Sequence, residues 1–235
     1  MTAIFRKEFR SFFTSPIGYI VIAAVYFFAG MFFREYNLYY GMNNLNSVYS
    51  GLFTITLLAS PLLTMRLFSE EKRQRTDQAL LTAPGSLTGI VLGKFFAAIL
   101  LYVIATAITL VFAIILAFKV SPDWMVLFGN YLGLLLVGGF IIAIGTFISS
   151  LTENQLIAAL GTIVISILLM SIDMLAAEFS SVQWLYKAIT FLSISVRYNE
   201  FTTGLINYDS VFFFLSVQAL FLFLTVRVLD SKRWR

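Results

Sequence analysis

The sequence predicts an all-α polytopic membrane protein with six transmembrane helices, and three observations predict it. Of its 235 residues 60% are hydrophobic and 12% charged, with a mean hydropathy of +0.90, far more apolar surface than a soluble domain of this length buries. The apolar residues form long runs separated by short polar links. The charges, by contrast, crowd together: Arg66, Glu70, Glu71, Lys72, Arg73, Arg75 and Asp77 all fall in RLFSEEKRQRTDQALLTAPGS. A charged side chain at the bilayer centre costs roughly 2.5 to 3.5 kcal/mol on insertion scales, so this stretch belongs in water between two spans.

Residues 1–235 read as one transmembrane domain. Thr2 to Phe13 forms an amphipathic helix: Phe5, Phe9, Phe12 and Phe13 share one face, Arg6, Lys7 and Arg10 another. This suits an interfacial elbow helix over 2–13, or equally a basic N-terminus that orients the first span. No cleavable signal is expected, since the first apolar run follows a charged segment and lacks a small-residue cleavage site. Pro16 opens the first span, about 17–33, because the first helical turn leaves its N–H unpartnered anyway; Arg34 and Glu35 are expected to stop it. A second span covers about 48–68 and contains Pro61, read as a kink that marks either a gate or only shape. Residues 69–86 form the charged loop, ended by Pro84 and Gly85.

Ser86 caps a third span, about 87–118, along which Gly85, Gly89, Gly93 and Ala97 make a smooth stripe for helix packing. Gly89 to Phe95 superficially resembles a phosphate-binding loop, but the glycines are spaced too closely and no Ser or Thr follows Lys94, so no ATP site is expected in this chain. A fourth span covers about 124–149. After the link SSLTENQ, Thr152 and Gln155 fit a capping box for a fifth span, about 154–175. The segment 177–209 is too polar to span but carries Trp184, Leu185, Tyr186, Ile189, Phe191 and Leu192, so it reads as one or two short surface helices or a folded cover over the helix ends. A sixth span, about 211–228, leads to a basic tail.

Six spans return both termini to one face. That face takes all sixteen Lys and Arg residues except Arg34, Lys119, Lys187 and Arg197. The positive-inside rule then makes it cytoplasmic, in a cell membrane, and accounts for the net charge of +4 without nucleic acid.

Composition also narrows the chemistry. With no cysteine there is neither a disulfide nor a thiolate metal site, and with no histidine the commonest general base and zinc ligand are missing. Only Asp173 places a carboxylate at depth in a span, too little for an intramembrane enzyme or an ion-driven transporter. No metal and no catalytic residue are expected. Thr54, Thr56, Ser60 and Thr64 in the second span, with Thr162, Ser166 and Ser171 in the fifth, either line a polar path together with Asp173 or bond to their own backbone carbonyls. A six-span channel remains open as a reading.

The charged loop resembles the cytoplasmic loop of ABC type-2 (ABC-2) permeases, the membrane subunits of ABC exporters. Arg66, Phe68, Glu70, Glu71, Lys72, Arg73, Thr76, Leu80, Leu81 and Pro84 match its pattern, while Arg75 stands for the usual glycine and Gln78 for the usual glutamate. FFTSPIGYI, ISSLTENQ and RYNEFTTGLINYDSVFFFLS are similar to the gliding-motility and copper-maturation branch, with Arg197 where relatives often carry histidine. The resemblance implies an elbow helix, a coupling helix after the second span and short external helices before the sixth. It implies a second permease copy or related membrane subunit, and two cytoplasmic ABC ATPase subunits that hold the ATP and magnesium. The residues it marks for ATPase coupling are Arg66, Glu70, Glu71, Lys72, Arg73, Arg75, Thr76, Leu80 and Leu81, with Thr152, Glu153, Asn154 and Gln155 in the second link. Within the family, outward transport and mechanical drive of periplasmic partners both fit.

Overall fold

The computed structural model describes residues 1–76, 78, 86–178, 183–204 and 207–233, with side chains at all of these except 173–178, 185, 188, 232 and 233. Helices α1 (Thr2–Thr14), α2 (Pro16–Phe32), α3 (Asn46–Thr64), α4 (Ser69–Arg73), α5 (Leu87–Thr106), α6 (Ile108–Ala117), α7 (Trp124–Leu151), α8 (Gln155–Glu178), α9 (Gln183–Leu192), α10 (Ile194–Thr202) and α11 (Tyr208–Arg233) follow in order. No strand occurs among the described residues. Six stretches are long and apolar enough to cross a membrane: Pro16–Tyr39, Asn46–Arg73, Leu87–Ala117, Trp124–Leu151, Gln155–Ile172 and Tyr208–Ser231. The protein is an all-α, multi-pass membrane protein.

The core forms around α7, which packs against α3, α5, α8, α10 and α11. Its glycines let neighbours press close. A Cβ at Gly133 would stand 2.9 Å from Cβ of Phe201, and one at Gly138 would collide with the ring of Tyr102. That ring is fully buried, and its hydroxyl meets Thr56 Oγ1 at 2.9 Å and donates to the Leu134 carbonyl at 3.1 Å, so α3, α5 and α7 are joined in the middle of the bundle. The least buried spans are α2, α8 and α11, whose apolar faces point away from the core.

Four local features depart from the expected pattern. Arg34 and Glu35 do not stop the first span; the chain continues through them as a π-helical stretch, Phe33–Tyr39. The third span is broken at Ala107 into α5 and α6. There Thr106 Oγ1 donates to the Tyr102 and Val103 carbonyls (3.0 and 3.2 Å) and Thr109 Oγ1 to the Thr106 carbonyl (2.8 Å), back-bonding that bends a helix. The fourth helix runs on to Leu151, so Ser149 and Ser150 are helical, and the link shrinks to Thr152–Asn154. The expected capping box is also absent: Asn154 Oδ1 accepts from the Leu156 amide at 2.9 Å, while Thr152 Oγ1 accepts from the Asn154 amide at 3.1 Å.

Helix α1 turns back against α5. Phe12 is buried, and the main-chain carbonyl of Phe12 fills the space where Gly18 lacks a side chain, which sets the corner between α1 and α2. At the other end, the glycine stripe receives the elbow: a Cβ at Gly93 would lie 3.1 Å from the Met1 carbonyl oxygen and 3.2 Å from Ile4 Cγ2. Arg6, Lys7 and Arg10 are exposed.

Candidate functional site

The charged stretch divides into two groups that face different ways. The first points inward and binds α4 to the rest of the protein. Arg66 bonds Glu70 through Nε (2.7 Å) and reaches Ser15 Oγ through Nη1 (2.7 Å), tying the end of α3 to the corner between α1 and α2. Glu71 receives Lys7 Nζ on one oxygen at 3.0 Å and stands 3.0 Å from Lys94 Nζ with the other. Lys94, 1% exposed, also donates to Glu8 at 2.8 Å and to the Leu67 carbonyl at 2.6 Å. These side chains enclose a small cavity of about 100 Å³ beneath α4.

The Lys7 ammonium feels opposing influences: burial lowers its pKa, but the hydrogen bond and charge of Glu71, then those of Glu8, outweigh this and raise it above the ordinary lysine value. Because the folded value is raised, the stabilisation is complete below the ordinary lysine pKa and is lost only as pH climbs through the raised value. The Lys7 ammonium therefore keeps its charge at neutral pH.

The other inward contact is with α7. Ser149 Oγ accepts the amides of Phe68 and Ser69, both at 3.1 Å, and Ser69 Oγ lies 3.0 Å from Ser149 Oγ. These are amides at the open N-terminus of α4, which otherwise lack acceptors. Lys72, 5% exposed, donates its ammonium to the Ser150 carbonyl at the end of α7. A Ser149→Val variant would leave both amides buried without an acceptor. It is expected to lose about 1 to 3 kcal/mol of stability, read as a lower unfolding temperature in detergent, with faster amide exchange at Phe68 and Ser69.

The second group points outward. Arg73, Arg75 and Thr76 are exposed, as are Glu153 and Asn154 of the opposing link. Arg73, Glu153, Asn154 and Gln155, with Met65 and Leu156, line an open groove of about 500 Å³. Among the described residues neither Arg73, Arg75 nor Glu153 has an ion-pair partner within 4.0 Å. Arg75 closes α4 with φ 56°, the left-handed region that favours glycine. The glycine of the resembled pattern thus has a conformational reason, and Arg75→Gly is expected to preserve or slightly raise stability. Leu80 and Leu81 lie outside the described residues.

The hydroxyls assigned to a path are placed as follows. Thr54 is exposed on α3, whereas Thr56, Ser60, Thr64, Thr162 and Ser166 are buried within the bundle. Thr64 donates to the Ser60 and Pro61 carbonyls (3.3 Å each), Thr162 to Ala158 (2.8 Å) and Ser166 to Thr162 (2.8 Å). Among the buried members of this set, Ser60 Oγ alone has no hydrogen-bond partner. Thr64 and Thr162 meet at Gly145 of α7. Asp173 lies on α8, and its side chain is outside those described. No group of three or more His, Cys, Asp or Glu suited to a metal occurs among the described residues.

Glu8, Lys94, Ser149 and Ser150 were not among the expected coupling residues. Lys94 carries a signal that a closer reading uses: an ionisable group inside a long apolar helix requires a partner.

On the face opposite α4, Tyr198 of α10 donates its hydroxyl to the Tyr49 carbonyl of α3 at 3.2 Å and stacks on Phe53, ring centroids 4.6 Å apart. The span that leads into α4 is thus also the span that α10 holds.

No curated protein matches the chain. A family model described as "ABC-2 family transporter protein" matches residues 33–228, which takes in α3 to α10, most of α11 and the whole of the charged stretch. With six apolar helices and the match over most of its length, the chain belongs to the ABC-2 transporter family and is a membrane protein of the ABC permease type.

Proposed function

We propose that this chain is the permease subunit of an ATP-driven exporter, and that α4 with the Thr152–Asn154 link receives the force of separate cytoplasmic ATPase subunits. The observation that carries this reading is the division of charge around α4. Its inner side is fixed to α1 through Glu71 and Lys7, to α5 through Glu71 and Lys94, to the α1–α2 corner through Arg66, and to α7 through Ser149 and Lys72. Its outer side presents Arg73, Arg75 and Thr76 beside Glu153 with no internal ion pairs among the described residues. A helix pinned in this way passes displacement on, and its unpaired charges suit a docking partner.

When the ATPases close on ATP, they press on α4, and α3 and α8 shift at the interface with a second permease copy or a related membrane subunit. The termini lie in the cytoplasm and the path opens outward. Charge-assisted contacts from Arg73 or Arg75 to the ATPase would each be worth about 1.5 to 3 kcal/mol where desolvated. The Tyr198–Tyr49 contact supports a second form of the same function: movement of α3 passed to α9 and α10, and from them to partners on the outer face, without a solute crossing.

Arg73→Glu tests the assignment. It is expected to insert and fold normally, since Arg73 is exposed, yet to lose roughly ten- to 150-fold in ATPase association by removing one such contact. ATP hydrolysis would then no longer be linked to transport or to outer-face movement. The readouts are co-purification from native membranes with the intact mass of the complex, and flux in vesicles. Full coupling in Arg73→Glu would contradict the docking role. Recovery of this chain alone, where a control ABC complex survives, together with ATP-independent flux, would favour a channel.

A further inference from the structure

On the face opposite α4, α9 and α10 close over the start of α11 around a cavity of about 280 Å³. Its walls include Lys187, Phe191, Arg197, Glu200, Asn207 and Asp209. Arg197 is 6% exposed, and its guanidinium lies between the rings of Phe191 and Phe213, 4.3 and 4.1 Å from their centroids. Nε donates to the Phe191 carbonyl at 2.9 Å and Nη1 to Ser210 Oγ at 3.3 Å. Among the described residues no carboxylate lies within 4.0 Å of it. A buried cation whose counter-ions stand beyond direct contact is costly, and aromatic faces offset only part of that.

Of the acids of the cavity, Glu200 reaches Arg197 only through the shared Ser210 hydroxyl, and Asp209 is left open. Glu200 holds Asn207 Nδ2 at 3.1 Å and the Ser210 hydroxyl with one oxygen, and Asp209 is exposed without an ion pair. Lys187 is exposed at the mouth, also unpaired among the described residues. The cavity therefore offers two cations and two anions with no direct ion pair between them among the described residues, a pattern a zwitterion can bridge. Its surroundings indicate where that zwitterion comes from. Trp184, Phe191, Tyr208 and Phe212 are 72%, 61%, 74% and 69% exposed, and exposed aromatics of this density belong at the headgroup level of a bilayer.

We propose that this cavity binds the phosphoethanolamine headgroup of a membrane phospholipid, with the phosphate on Arg197 and Lys187 and the ammonium on Glu200 and Asp209. The site requires only that the chain sits in a membrane, and its test is independent of any ATPase. A soluble aminophosphate has the same charged groups but gains nothing from the aromatic rim.

The full chain in mild detergent is titrated with phosphatidylethanolamine, phosphatidylcholine or phosphatidylglycerol, and retained lipid is counted by native mass spectrometry. Phosphatidylethanolamine is expected to bind roughly three- to tenfold more tightly than the other two, the range one or two solvent-screened ionic contacts supply. Lys187→Gln is expected to weaken it by a similar factor. Asp209→Asn is expected to abolish the preference over phosphatidylglycerol while leaving phosphatidylglycerol binding unchanged. Both residues are exposed, so neither change should disturb folding. Equal binding of all three lipids, or no effect of either variant, overturns the site. Displacement of the lipid by equimolar free phosphoethanolamine overturns the lipid assignment in favour of a soluble ligand.

Discussion

Lys94→Met is expected to destabilise the folded protein by about 3 to 5 kcal/mol, the usual loss when one partner of a buried ion pair is removed. Lys94 is 1% exposed and meets Glu8, Glu71 and the Leu67 carbonyl. Methionine matches the stem in size and fills the same space, so the effect is electrostatic. It leaves two carboxylates, each only 12 to 13% exposed, with Lys7 as their one remaining cation among the described residues. The same reasoning predicts a rescue. Glu71→Gln in the Lys94→Met background should recover a large part of the loss, because it removes the stranded charge and keeps a group that hydrogen-bonds Lys7. Thermal unfolding of the four proteins in detergent gives the cycle. An additive double variant, no more stable than the two single losses combined, would show that the cluster is not the unit described.

Gly18→Val is expected to dislodge the elbow. The obstacle at Gly18 is the main-chain carbonyl of Phe12, which no rotamer change can move aside. Overpacking alone costs about 1 to 3 kcal/mol. Here relief requires α1 to move as a whole, which exposes Phe12 and pulls Ser15 from Arg66 and Glu8 from Lys94. Trypsin should then cut after Arg6, Lys7 or Arg10 much faster than in the parent protein, since cleavage needs the helix to open. Gly30→Ala is the control, because no atom lies within 4 Å of the added Cβ and a helix interior gains from alanine. Equal digestion of Gly18→Val and the parent would place the elbow's restraint elsewhere.

The six-span class was legible because hydropathy over long runs depends on the bilayer and little on tertiary detail. The charged stretch was legible for the same reason, since seven charged residues have nowhere else to go. What could not be read was which charges turn inward. Glu71 and Arg73 are two residues apart and equally polar, yet on a helix of one and a half turns they point to different sides, one to Lys94 and one to an open groove. Ser149 and Ser150 read as a loop by polarity, but small hydroxyls at a helix end serve as acceptors for a neighbouring helix, a role fixed only by packing. The break at Ala107 arose from Thr106 and Thr109 bonding back to the chain, and threonines elsewhere in the bundle do this without ending a helix. Arg197, counted as an outward charge, is buried between two aromatic rings contributed by separate helices.

The seating of α1 has a consequence for biogenesis. Glu8 finds its cation 86 positions later in the chain, and the Met1 and Ile4 end of the elbow rests on Gly93 of the same late helix. At translation rates of about 5 to 20 residues per second, the nascent chain therefore carries an unlatched elbow for on the order of ten seconds. Its phenylalanine face must wait at the lipid surface beside the translocon through two insertions. The elbow is locked only once the third span has emerged, and an arrested chain that ends before Lys94 should hold every residue of the elbow and still lack the contact that closes it.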